Sequence, residues 1–244
     1  MIITLANNKG GVSKTTIAQA LANGLKKKGY KVLAIDLDPQ GNLSYAMNAG
    51  NPVLTAYDLL DGEPAEQCII DTTQTHLIAS NNHLSSVQIK TPDALKERLE
   101  PLKSRYDYII IDTAPALNML NINALTASEF VIVPATADVF SLQGLAQFAQ
   151  NIISIRDKYN PDLRIAGIAI SQFNKRTILN RQLSKAMQDV AKTLNTKVFN
   201  SKIRNAVAVP EAQAIQEDIF NYAPKSLVTT DLNALINEII KTIN

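Results

Sequence analysis

Apolar and polar positions along this chain follow two periods. Short runs that are apolar at nearly every position are separated by longer stretches with apolar residues every three or four positions. The runs are IITLA (2–6), KVLAID (31–36), HLIAS (76–80), YDYIIID (106–112), FVIVPA (130–135) and RIAGIAIS (164–171). Helical spacing covers Lys14 to Lys27, closed by Gly29, and then about 93–103, 118–127, 141–158, 177–194 and 226–243. A strand that is apolar on both faces must be covered on both faces. The alternation therefore predicts an α/β fold: a single-domain, mostly parallel twisted sheet with helices on both faces. No repeat, low-complexity segment or long linker interrupts the 244 residues, so one domain is expected over 1–244. The weakly periodic 40–76 stretch gives no clear element.

Composition narrows the classes. A chain that is 46% hydrophobic and 19% charged can build a core without disulfides or metals. A lone cysteine, Cys68, excludes a disulfide framework. With only two histidines, His76 and His83, it also argues against a zinc or iron–sulfur centre. The opening MIITLA is too short for a signal peptide, and no apolar run reaches the length of a membrane span. A cytoplasmic protein is expected. The net charge of +2 hides an asymmetry: Arg164 to Arg204 holds nine basic residues against one acidic, Asp189. An excess of this kind suits a polyanionic partner.

The candidate chemistry lies where predicted strands end. Between the first strand and the first helix stands NNKGGVSKTT (7–16). Its backbone N–H groups and the helix N-terminus make an anion cradle, and Gly10 and Gly11 permit close approach. Lys14 can reach β- and γ-phosphates, and the Thr15 hydroxyl can bind Mg²⁺. Asp112 ends an apolar strand as a carboxylate that holds a Mg²⁺ shell through water. Asp36 and Asp38 end the second strand, beside the same loop.

The strict pattern G-x-x-x-x-G-K-[ST] is not met, since Asn8 and Ser13 hold its glycine positions. The K-G-G-x-x-K-T that is present, with its additional Lys9, resembles the deviant P-loop of the ParA/MinD group of ATPases. Similarity continues through DLDPQGN (36–42), YDLLDGEP (57–64), YDYIIIDTAPALN (106–118) and NALTASEFVIVPATADVFSLQGL (123–145). That order and spacing resemble the ParA/Soj DNA-segregation ATPases over essentially the whole chain.

The resemblance implies ATP and Mg²⁺ as cofactors and Lys9, Gly10, Gly11, Val12, Ser13, Lys14, Thr15 and Thr16 as the nucleotide-binding loop. It implies a metal shell supported by Thr15, Asp36 and Asp112, and catalysis by Lys9, Lys14 and Asp38. Asp38 would orient the attacking water, and Lys9 would cross an ATP-dependent dimer interface to the partner's phosphates. Ser13 departs from the family's glycine and places a Cβ where positive φ or close passage would favour none.

On the 177–194 helix, at about 100° per residue, Arg181, Lys185 and Lys192 share an arc of about 40°. Leu179, Leu183, Val190 and Leu194 lie opposite with Met187, as a buried face. With Lys202 and Arg204 these cations form the expected DNA-binding set, reading phosphates of double-stranded DNA without sequence preference. The family pattern I-P-R-N-x-R-L-x-E-A is broken here, with Asn205 and Ala208 at its arginine positions. The implied system is a nucleoid-associated homodimer that meets a ParB-type centromere-binding protein. The last helix carries one cation, Lys241, so no membrane partner is expected. No segment precedes the first strand, so specific operator binding is not expected. Two alternatives stay open: a MinD-like positioning ATPase acting on a membrane or protein partner, and a weakly hydrolysing ATP-binding regulator.

Overall fold

The computed structural model describes residues 1–244. The elements run β1 (Ile2–Leu5), α1 (Lys14–Lys27), β2 (Val32–Leu37), α2 (Asn42–Ala46), α3 (Ala56–Asp61), β3 (Ile69–Asp71), β4 (His76–Ile78) and α4 (Ala94–Leu99). They continue β5 (Tyr108–Thr113), α5 (Met119–Ala127), β6 (Phe130–Thr136), α6 (Val139–Tyr159), β7 (Arg164–Ser171), α7 (Ile178–Thr193), α8 (Ala208–Ala214), α9 (Ile219–Tyr222) and α10 (Leu227–Ile243). The seven strands form one sheet in the order β3-β4-β2-β5-β1-β6-β7. Every pairing is parallel except β3 with β4, an antiparallel edge.

Alternation within the apolar strands explains the layers. Ile3, Leu5, Ala34 and Ile110 face one side, packed under Ile17, Leu21 and Leu25 of α1 and Leu232, Ile236 and Ile239 of α10. Their neighbours Ile2, Leu33, Ile35, Ile109 and Ile111 face the other, under Leu59 of α3, Leu95 and Leu99 of α4 and Leu120 of α5. A further cluster joins Val131, Val133, Ile168 and Ile170 to Phe148 and Ile152 of α6 and Met187 and Ala191 of α7. The α/β fold with helices on both faces is as the pattern predicts.

Three features differ from expectation. The 40–76 stretch contains α2, α3 and β3, too short to show a period of their own. The helix expected over 93–103 stops at Leu99 and tightens to a 3₁₀ turn at 100–102, where Pro101 cannot continue the ladder. Leu179, expected on the buried face of α7, is 54% exposed, whereas Ser184, Met187 and Ala191 are buried. Only the later turns of α7 lie on the sheet, so the first turn keeps its leucine in solvent.

Candidate functional site

β1, β2 and β5 all point their carboxyl ends at one cleft of about 480 Å³. Its walls include Gly10, Gly11, Ser13, Lys14, Thr15 and Asp38. The loop between β1 and α1 is held from outside. The Asn7 amide donates to the Pro134 carbonyl at 2.6 Å, and its oxygen accepts the Lys9 N–H at 3.0 Å. At the end of β7, the Ser171 hydroxyl donates to the Val12 carbonyl at 3.0 Å, and just beyond it the Gln172 amide donates to the Gly11 carbonyl at 2.7 Å. Carbonyls tied outward leave the loop's N–H groups for an anion at the start of α1, where the helix dipole adds its positive end. Gly11 and Ser13 both lie in the left-handed region, at φ 72° and 69°. A glycine takes that conformation freely, and the serine carries the strain of a Cβ there.

Lys14 is buried, and its ammonium donates to the Lys9 carbonyl at 3.2 Å. Desolvation lowers its pKa, opposed by the charges of Asp112 and Asp38. The Thr15 hydroxyl donates to Asp112 at 2.6 Å, so the carboxylate reaches the cleft through that side chain. Asp36 stands directly across from Asp112 in the β2–β5 register, and both are fully buried. Burial raises both carboxyl pKa values; the Asp36 charge raises that of Asp112 further, while hydrogen bonds from Ser44 and the Asp38 N–H oppose the rise at Asp36. Asp36 does not line the cleft. It accepts the Asp38 N–H at 3.1 Å, the Ser44 N–H at 2.8 Å and the Ser44 hydroxyl at 2.7 Å. Asp38 faces the cleft and accepts the Gln40 N–H at 3.0 Å.

No three acidic, histidine or cysteine side chains form a self-sufficient metal cage. The donors present nevertheless fit Mg²⁺, which takes one or two carboxylates and completes its shell with phosphate oxygens and water. A divalent cation beside Asp112 would favour the ionised form of this buried acid, which burial otherwise disfavours.

Lys9 lies outside the cleft walls. Its ammonium donates to both oxygens of Asp138 at 2.8 Å and to the Ser141 hydroxyl at 2.9 Å. Burial works against the charge on Asp138. Hydrogen bonds from Lys9, Thr136 and Ser141 outweigh it and hold the carboxyl well below its usual range.

Of the expected DNA-binding cations, Arg181 and Lys185 stand exposed on α7 without an acidic partner, while Lys192 pairs with Asp189 at 3.2 Å. Lys202 lies over the Phe173 ring, 4.5 Å from its centroid. Arg204 is engaged: its guanidinium grips Asp231 of α10 through two bonds of 2.6 and 2.9 Å. That partner is 27 positions away and leaves no trace in local sequence. Lys175 and Arg176 join Lys202 and the paired Arg204 in lining one groove. The sequence reading also missed Tyr45, Gln172 and Gln213 in the cleft walls, together with Asp138 and Ser171 behind them. Asp138 follows an apolar strand and caps α6, and that position was the available signal.

A family model described as an AAA domain matches residues 1–165. The chain is 34% identical to the chromosome partitioning protein ParA of Caulobacter vibrioides, over 98% of this chain and 93% of that one. It is 35% identical to the chromosome-partitioning ATPase Soj of Thermus thermophilus, over 92% of this chain and 89% of that one. Among solved structures, a protein described as cobyrinic acid a,c-diamide synthase from Mycobacterium smegmatis, with bound ADP and magnesium, superposes with a TM-score of 0.83. The two are 26% identical over 98% of this chain and 94% of that one. With a P-loop cleft at the strand ends and near full-length similarity to these partitioning proteins, the chain belongs to the ParA/Soj family of P-loop ATPases.

Proposed function

We propose that this ATPase is a DNA-segregation switch: it dimerises on ATP, binds double-stranded DNA without sequence preference, and lets go when a ParB-type partner stimulates hydrolysis. The observation that carries the reading is the pair of lysines. Lys14 faces the cleft beside Thr15, Asp38 and Asp112, whereas Lys9 sits outside it on a partly exposed pair with Asp138.

ATP and Mg²⁺ are its cofactors. The N–H groups from Gly10 to Thr16 and the start of α1 hold the phosphates, and Lys14 neutralises the β- and γ-phosphoryl oxygens. Thr15 would hold the Mg²⁺ directly and Asp112 through water. Asp36, locked by Ser44, keeps Asp38 in place rather than meeting the cleft. When bound, the metal supplies positive charge to the γ-phosphoryl oxygens. Asp38 orients the attacking water, and Lys9, released from Asp138, reaches the phosphates of the second subunit.

The whole of 1–244 acts as one ATPase unit, and its basic region, about 164–204, faces DNA. Arg181, Lys185 and Lys202 contact phosphates there, joined by Lys175 and Arg176. Arg204 braces α10 instead. No helix is long and apolar enough to cross a membrane.

The test is binding to unrelated duplex DNA with ATP, ADP or no nucleotide, at low and moderate salt. ATP-dependent binding that falls steeply with salt supports the switch. ATP bound without DNA binding in any state overturns the DNA half of the reading.

A further inference from the structure

At the opposite end of the sheet, where β2, β4 and β5 begin, lies a cavity of about 540 Å³. It matches the nucleotide cleft in size and differs in charge: Lys26, Lys31 and Arg105 line it, and no carboxylate does. None of the three cations has an acidic side chain within 4.0 Å. The nearby acid Asp71 is occupied by the His76 ring, 2.8 Å away. The other ring nitrogen of His76 lies 2.6 Å from the Tyr106 hydroxyl, which fixes both rings in the wall. Tyr30 adds a third aromatic ring, held edge-on against Tyr108 with ring centroids 5.0 Å apart. Lys31 and Arg105 are exposed, and the Lys26 ammonium donates to the Gln74 carbonyl. Beside fixed aromatic rings these cations make an environment for a phosphorylated molecule with an aromatic portion, since cations favour phosphate and ring faces favour flat groups.

We propose that this cavity is a second anion site, taking a nucleotide-sized phosphorylated small molecule at the end of the sheet away from the P-loop. Its residues lie between Lys26 and Tyr106, apart from the basic 164–204 region, and their arrangement is concave. That shape favours a small ligand over a duplex. The site is also mechanically linked to the first. Lys14 opens α1 at the P-loop and Lys26 lies in its last turn at the cavity, about 18 Å along one helix.

The test uses the full-length protein and pyrophosphate as probe, by isothermal titration calorimetry at low salt. Lys14→Ala weakens the P-loop site, and this background should still bind one pyrophosphate per chain. Adding Lys31→Ala and Arg105→Ala, both exposed side chains, should weaken that binding on the order of tenfold or more. Replacing them by Lys31→Arg and Arg105→Lys should preserve it. Melting temperatures of all variants show that each is folded. Loss of all pyrophosphate binding in Lys14→Ala, or binding indifferent to the Lys31 and Arg105 changes, overturns the proposal. So does a polyglutamate peptide that binds there in preference to pyrophosphate. Weakened duplex DNA binding in the Lys31/Arg105 pair without pyrophosphate binding also overturns it and assigns the surface to nucleic acid.

Discussion

Ser171→Ala tests whether the nucleotide loop is held from outside. Ser171 is fully buried at the end of β7, and its hydroxyl donates to the Val12 carbonyl at 3.0 Å. That carbonyl accepts no backbone N–H, and Val12 is itself 1% exposed. Alanine would leave a buried carbonyl unpaired, at about 1–3 kcal/mol. The loss can surface in two places. If the loop stays put, the nucleotide-free protein should melt lower by about 2–12 °C, at about 2–4 °C per kcal/mol for a chain of this size. If Val12 instead turns its carbonyl to solvent, the adjoining N–H groups leave the cradle and affinity falls, about tenfold for each 1.4 kcal/mol. Melting without nucleotide and calorimetry with Mg-ADP measure the two parts, and together they should account for about 1–3 kcal/mol. Ser154→Ala is the control, because that serine is exposed on α6 and donates only to its own helix. Unchanged melting and unchanged ADP affinity in Ser171→Ala would refute external bracing of the loop.

Lys9→Ala should leave ADP binding nearly intact and remove hydrolysis, and normal turnover would exclude a role for Lys9 across the dimer. Asp138→Asn keeps an oxygen to cap α6 but frees Lys9, so it should tighten ATP-dependent dimerisation as read by sedimentation. Because the Asp138 carboxyl is held below its usual range, its contribution is present above the unfolded carboxylate value and lost as pH falls. The difference between Asp138→Asn and the parent should thus persist at pH 5 and disappear in stronger acid. Arg204→Ala should lower the melting temperature with little change in the salt dependence of DNA binding, whereas Lys175→Ala with Arg176→Ala should reduce the slope of log affinity against log salt by about 1 per lysine or arginine. Gly167→Ala would bring a Cβ to 2.7 Å from two carbons of the fully buried Phe199 ring, so it should cost about 1–3 kcal/mol in chemical denaturation, partly recovered by Phe199→Leu. Cys68 is buried with its thiol pushed up to about 11, so it should resist thiol reagents at pH 8 until denaturant is added.

What the sequence determined is the set of features that depend on neighbours along the chain. A strand buried on both faces must be apolar throughout, and a helix on a sheet must repeat every three or four residues. The central strands, α1, α5, α6 and α10 were therefore legible to within a residue or two. The glycines and lysines of 7–16 were legible too, because a phosphate cradle is one continuous segment between a strand and a helix. Tertiary structure decided whatever depends on partners far along the chain. Asp231 pairs with Arg204 from 27 positions away. Asp138 holds Lys9 from 129 positions away, and Ser171 braces Val12 from 159. Leu179 is exposed because α7 meets the sheet only in its later turns. The cavity under β2, β4 and β5 gathers Lys26, Lys31 and Arg105 from segments with no shared motif. Local periodicity fixes which face of an element is buried. Which charges then meet across the fold is set by strand order, and in this sheet spatial neighbours such as β1 and β5 are far apart along the chain.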